Sequence, residues 1–394
     1  MPIFKTALKE AFWVFVFSRL TILFVTYIWI VLLSIAGHSP LDCAHSIYTN
    51  PCLFSWYRWD SIAYAHIAFQ GYARALDVVY FPLWPLLIHF GGLLLGGSFP
   101  LSFYLAGLLL SNICFYLALT LLYCLLCQDF EPSLAKRALF YLAFYPYALF
   151  FFAGYTESLF ILLCIAFFLV LRRGKPLDWW LAGGIGCLAA LTRSTGILLS
   201  IPFLIVYTRR FWITAERHQY RWFQQVNALA PVVLIPAALL AYMVYLAYTK
   251  GNPFIIQIEE AAGWHRHFAW IWTTYYHMLK ILLTYPLFSL DFAKNLLDIA
   301  FTTAPIGVLL ISWKRLPLHY SLFAAAAIIF SLSFPLDTIN PMASQPRYMM
   351  SIFPLIVVLA FWGKRPRFDQ LFLALGPPFL ALNSILFISH YWVA

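Results

Sequence analysis

Residues 11–36 read AFWVFVFSRLTILFVTYIWIVLLSIA, twenty-six residues with a single charge, Arg19. A helix needs about 20 predominantly apolar residues to cross a bilayer, so this stretch is a membrane span. It is too long for a cleaved signal peptide and lacks a small-residue cleavage pattern. Similar blocks recur as far as residue 389. Across the 394-residue chain 63% of residues are hydrophobic, 20% are aromatic and only 10% are charged, against about 25% charged in a soluble domain. That leaves too little polar surface to cover a water-facing body. A soluble enzyme, a disordered chain and a collagen-like chain are all excluded. Barrel strands would alternate apolar with polar, and these runs do not. Backbone groups in lipid must instead bond within their own segment. The chain reads as an all-α polytopic membrane protein, one integral membrane domain over residues 1–394.

The net charge is +10, yet its distribution argues against nucleic acid as a partner. The basic residues sit in short clusters between apolar blocks, the pattern of a topology signal. The clusters are Lys5/Lys9, Lys136/Arg137, Arg172/Arg173/Lys175, Arg209/Arg210/Arg217/Arg221, Lys314/Arg315 and Lys364/Arg365/Arg367, holding 16 of the 25 basic residues. Placing them inside puts the N-terminus in the cytoplasm, with two long external loops, 37–101 and 249–290. If 81–98 crossed the membrane, Lys136/Arg137 would land outside. It is therefore read as an interfacial or re-entrant helix, and Pro82, Pro85 and a Gly-Gly pair agree. The same parity makes one of the two apolar stretches in 270–312 interfacial, and 270–288 is expected to be that one. Eleven spans remain: 11–36, 102–126, 137–153, 157–171, 178–192, 196–208, 226–248, 291–312, 319–336, 348–362 and 370–388. Long loops in a protein of otherwise minimal loops usually carry function.

Five cysteines fall in spans and read as apolar filler. Cys124 and Cys127 form a CxxC with no companion pair, a weak zinc signal. Cys43 and Cys52 share the first external loop and are candidates for a disulfide on an oxidising side.

Five constellations carry candidate chemistry. In the first loop, Arg58-Trp59-Asp60 precedes an amphipathic stretch, with Tyr72 beyond it. Asp60 reads either as a helix cap or as a general base at the lipid–water boundary. Tyr155-Thr156-Glu157-Ser158 opens a span, with Glu157 either in a capping segment or in the site. Arg193, in Thr192-Arg193-Ser194-Thr195-Gly196, is an isolated charge at membrane depth, which needs an anion; Glu157 is the competing partner. His265-Arg266-His267 in the second loop suits phosphate, or is simply solvated. Gln345-Pro346-Arg347-Tyr348 places another guanidinium at a membrane edge. Together Arg193, Arg266 and Arg347 suit a phosphate-bearing lipid headgroup. No P-loop or GxGxxG appears, so a nucleotide sugar is not the expected donor.

Arg58-Trp59-Asp60 through Gly71-Tyr72, then Tyr80-Phe81-Pro82-Leu83-Trp84-Pro85-Leu86, resembles the PIG-V-type mannosyltransferases, the family of GPI mannosyltransferase II and its prokaryotic relatives. The resemblance continues through Ala153 to Phe160, Thr192 to Gly196 and Pro346-Arg347-Tyr348. It implies a GT-C glycosyltransferase fold, a dolichyl- or undecaprenyl-type polyprenyl-phosphate-mannose donor and inversion at the sugar carbon. It also implies that the acid of the first external loop, here Asp60, is the base. The chain is shorter than eukaryotic members and has no Asn-x-Ser/Thr sequon. A bacterial or archaeal cell membrane is therefore expected, with the active site external.

The resulting expectation is transfer of mannose from a lipid-linked donor to a hydroxyl of a glycolipid or other membrane-associated acceptor. Arg193, Arg347, His265, Arg266 and His267 would hold the donor phosphate. Arg58, Trp59, Tyr72, Tyr155, Glu157 and Gln345 would contact sugar or acceptor. No cofactor is expected, a divalent metal is left open, and no partner subunit is indicated. A lipid-linked sugar transporter or a non-catalytic subunit of a glycosylation complex would use the same cations. No internal repeat of the kind transporters often carry is visible.

Overall fold

A computed structural model describes residues 2–35, 54–213, 221–336 and 340–393; Cys43 and Cys52 lie outside the described residues. The helices in chain order are α1 (Pro2–Ile35), α2 (Asp60–Gln70), α3 (Leu83–Leu94), α4 (Leu101–Asp129), α5 (Pro132–Ala143), α6 (Glu157–Arg173), α7 (Pro176–Thr192), α8 (Ser200–Thr208), α9 (Trp222–Leu229), α10 (Leu234–Lys250), α11 (Ile255–Trp264), α12 (Ile271–Thr284), α13 (Leu290–Ser312), α14 (Leu318–Leu332), α15 (Gln345–Ser351), α16 (Phe353–Trp362) and α17 (Pro366–Ile388). There is no strand among the described residues.

Among the described residues, six helical segments are long and apolar enough to cross a membrane: Ile3–Leu33, Leu101–Asp129, Ser194–Ile213, Trp222–Lys250, Leu290–Arg315 and Pro366–Ile388. The pair α15 and α16 adds a seventh if taken as one bent span, with an 82° break. Pro354 lies just past that break and lacks the N–H that would continue the ladder. The other four of the eleven expected spans fall on shorter helices. Helices α6 and α7, with 17 residues each, reach about 25 Å. The expectation for 137–153 is corrected: α5 stops at Ala143 and a separate 3₁₀ turn covers Ala148–Phe151. Pro146 disfavours helical backbone at the residue before it, and its carbonyl accepts a hydrogen bond from Asn383 Nδ2 at 2.9 Å. The 12 residues of α3 and 14 of α12 span only about 18 and 21 Å, short of the bilayer core. Helix α11, within the second long loop, was not anticipated.

The described chain forms two compact units. The first comprises Met1–Ala73, Trp84–Ser158 and Leu359–Ala394. Here α1 packs on α4, α5 and α17, and α2 lies on α4. Phe115 stacks on Phe151 with centroids 4.5 Å apart. At one end of this unit the basic clusters meet acids: Lys136 with Glu10 at 2.6 Å, Arg137 with Asp369 at 3.5 Å, and Lys364 with Glu131. The Tyr141 hydroxyl donates to Asp369 at 2.7 Å.

The second unit comprises Arg74–Leu83 and Leu159–Val358. Helix α7 packs against α10, and glycine makes the approach possible. A Cβ on Gly183 would lie 2.4 Å from the Pro231 carbonyl oxygen, and one on Gly186 would lie 2.7 Å from Ile235. Helix α12 packs on α13, and α13 on α15. The Tyr242 hydroxyl donates to the Val78 carbonyl at 2.8 Å, tying the 74–83 segment to α10.

Candidate functional site

In the first unit, Trp59 takes a left-handed backbone (φ 51°) and turns the chain into α2, whose first residue is Asp60. Asp60 is thus inside the helix and is not its cap. A carboxylate there faces the positive end of the helix dipole, and it is 8% exposed. The local bracing is done by Ser61, whose hydroxyl accepts from the Arg58 amide at 2.8 Å and donates to the Arg58 carbonyl at 2.7 Å. The Arg58 Nη1 donates to the carbonyls of Phe54 and Tyr57, so its guanidinium holds its own loop. Burial lowers its pKa, and Tyr104 opposes that shift. The Tyr155 hydroxyl donates to the Arg58 carbonyl at 3.3 Å. Its ring is buried among Phe150, Phe387 and Tyr64, so Tyr155 supports the loop from beneath. Glu157 and Ser158, at the head of α6, are fully buried. The Ser158 hydroxyl lies 3.1 Å from that of Ser111. Tyr72 is half-buried just past Gly71.

The sequence reading missed the C-terminal segment of this unit. Trp392 packs edge-on against Trp59 with centroids 5.2 Å apart. His390 has a depressed pKa, from burial first and the Arg58 charge second. An aromatic tail after the last span gave no spacing signal that could have linked it to residue 59.

In the second unit, Arg193 caps α7 and leads into a 3₁₀ turn, Ser194–Leu199. Gly196 is demanded by space: a Cβ there would sit 2.4 Å from the backbone of Ala189 and Ala190. This folds the turn back on α7 and sets Arg193. Gln345 and Arg347 are both buried on α15. The Gln345 Nε2 donates to the Ser331 carbonyl at 2.7 Å. Arg266 follows α11, and its backbone N–H donates to the Glu260 carbonyl at 3.2 Å. Burial pushes the Glu260 carboxyl up, and the Arg266 charge pulls it partly back.

These three arginines meet at Tyr348. The guanidinium carbons of Arg193, Arg347 and Arg266 lie 5.0, 5.3 and 5.8 Å from its ring centroid. The Arg266 Nη2 donates to the Tyr348 hydroxyl at 3.0 Å. Beside them opens a small pocket, partly open to its surroundings. His265 and His267 are exposed, and His267 Nδ1 lies 3.0 Å from the His265 carbonyl oxygen. Among the described residues, no group of three or more His, Cys, Asp or Glu side chains is placed to hold a metal ion. Asp298, fully buried on α13, went unnoticed in the sequence because it lies one turn from Lys294 and two turns from Asp291 at a span edge.

The family model for mannosyltransferase (PIG-V) matches residues 8–278. The chain belongs to that family. The match takes in Asp60, Tyr155, Glu157, Arg193 and the 265–267 cluster, and ends before Gln345. The family likeness extends to the mouse GPI alpha-1,6-mannosyltransferase 2, at 31% identity over 205 residues. That match spans 48% of this chain and 40% of the mouse protein. Among solved structures, the apo oligosaccharyltransferase of Archaeoglobus fulgidus matches over 96% of this chain and 56% of its own, at 13% identity and a TM-score of 0.44. The same enzyme with zinc and sulfate matches over 86% and 49%, at 14% identity and a TM-score of 0.42.

Proposed function

We propose that this family member is a GT-C-class glycosyltransferase that moves a mannosyl residue from a polyprenyl-phosphate-mannose donor to a hydroxyl of a membrane-associated acceptor on the external side, with inversion. The observation that carries the reading is the gathering of Arg193, Arg266 and Arg347 round Tyr348 beside an open cavity. Three guanidiniums held together on aromatic surface are a site for a multiply hydrogen-bonded oxyanion, and phosphate matches their fork geometry. Asp60 is assigned to the other half of the chemistry. It accepts the acceptor hydroxyl's proton as that oxygen attacks the anomeric carbon opposite the phosphate. The carbon–oxygen bond to phosphate breaks, its electron pair stays on the phosphate oxygen, and the cations stabilise the charge that grows there. The exposed His265 and His267 are assigned no phosphate contact, and Arg58, Tyr155 and Ser61 are assigned to holding the Asp60 loop.

The test is transfer from a labelled lipid donor by the purified protein in detergent. Asp60→Asn should lower turnover by about 10²- to 10⁴-fold, the usual share of a general base, with donor binding retained. Near-normal turnover would remove Asp60 as the base. Binding of donor by the unaltered chain without any product would remove the enzyme reading and favour a transporter.

A further inference from the structure

Tyr348 sits where three cations meet, and its hydroxyl has a proton to spare. A guanidinium donates and never accepts, so in the 3.0 Å contact with Arg266 the tyrosine oxygen is the acceptor. Among the described residues no carbonyl or carboxylate takes the Tyr348 proton. Tyr348 lines this pocket together with Arg193, Thr195 and Ser351 on a polar side and Phe160, Phe323 and Ile352 on an apolar one. The Ser351 hydroxyl is already spent on the Arg347 carbonyl at 3.3 Å. Tyr348 therefore lines this pocket and carries an O–H donor set among cations. The group that completes such an arrangement is an oxygen anion, which can accept from guanidinium and phenol together.

We propose that Tyr348 is a catalytic residue that donates its O–H to the phosphate oxygen that departs from the sugar. This rests on the reading that the cavity holds the donor phosphate. As mannose transfers, the anomeric carbon–oxygen bond to phosphate breaks and its electron pair stays on that oxygen. The acceptor oxygen bonds to the carbon and its proton goes to Asp60. Tyr348 keeps its own proton throughout. The donor is a phosphodiester of charge −1 and the released lipid phosphate approaches −2, so the phenol hydrogen bond strengthens along the reaction. An interaction that is stronger in the transition state than in the bound donor acts on kcat.

Tyr348→Phe keeps the ring on which the arginines rest and removes only the donor. The expected result is a kcat lower by about 10²- to 10³-fold, a donor KM changed by less than about threefold, and product inhibition by a short-chain polyprenyl phosphate weakened about tenfold, with the melting temperature little moved. Tyr348→His, which returns a ring N–H, should recover part of kcat. Wild-type kcat and wild-type product inhibition in Tyr348→Phe would overturn the proposal. So would a loss of kcat that follows the melting temperature while product inhibition stays normal, since that marks a structural role. Arg266→Gln and Arg347→Gln separate the two readings. If they weaken product inhibition and Tyr348→Phe does not, the phosphate site stands and the role of Tyr348 falls. If they leave it unchanged, the phosphate site itself falls, and the proposal with it. The same competition in native membranes decides the case should Tyr348→Phe not survive purification.

Discussion

Arg19 is the only charge in residues 11–36, and it is 6% exposed in the middle of α1. Its guanidinium carbon lies 4.5 Å from the Phe115 ring centroid, 5.3 Å from Phe15 and 5.9 Å from Phe152. Its three side-chain nitrogens are buried with no hydrogen-bond partner among the described residues. Contact with aromatic faces returns about 2 kcal/mol when desolvated, whereas burying an uncompensated charge costs several. The balance predicts that Arg19→Met, which keeps bulk and a polarisable contact with the rings, raises the melting temperature in detergent by several degrees and leaves transfer unchanged. A lower melting temperature would mean that the rings more than offset the desolvation. Residue-scale chemistry of this kind is only half legible from the sequence. Arg193 and Arg347 stand out because charge is rare here. Tyr348, which joins them, stands beside Arg347 in the Gln345-Pro346-Arg347-Tyr348 stretch, but as one of 24 tyrosines in the chain it is given no role by the sequence. Its role becomes visible only when residues 193, 266 and 347 come together in space.

At the scale of elements, the short turn after α7 decides where a candidate phosphate ligand points. Gly196 is pressed against the α7 backbone, and neither Ala189 nor Ala190 can move aside for a Cβ at 2.4 Å. Gly196→Ala should therefore cost about 1–3 kcal/mol, the usual cost of overpacking, and weaken product inhibition by moving Arg193. Gly184 is the matched control. It lies inside α7, nothing stands within 4 Å of its added Cβ, and Gly184→Ala should stabilise by about 0.5–1 kcal/mol through helix propensity. Thermal melts of the two variants check this, and equal shifts would refute the packing argument. Long elements were readable in advance, since α1, α4, α10, α13 and α17 each carry an apolar run with few charges. Breaks were not. Residues 137–153 form an apolar run, and only the backbone effect of Pro146 divides it into α5 and a 3₁₀ turn. Helix α11, with sequence IIQIEEAAGW, is too short and too mixed for periodicity to announce it.

For the molecule as a whole, the distribution of basic residues is the feature on which sidedness rests, and the structure gives those residues a second task. Lys136, Arg137 and Lys364 pair with Glu10, Asp369 and Glu131 at one end of the first unit. Lys364 also holds the Glu131 carboxyl below its ordinary range. Pairing could seem to cancel their value as topology signals. It does not, because orientation follows the count of Lys and Arg near span ends and acids contribute little to it. The expected outcome is that Arg173→Cys is reached by a membrane-impermeant maleimide only after permeabilisation, and Lys250→Cys is reached in intact cells. Both positions belong to the second unit and lie at helix ends, Arg173 on α6 and Lys250 on α10. The seven native cysteines, Cys43 and Cys52 of the expected first external loop among them, set the background in the unaltered chain. Labelling of Arg173→Cys from outside, with Lys250→Cys protected, would invert the topology. The loop holding Arg266 would then lie in the cytoplasm, where an externally presented lipid-linked sugar could not serve as donor.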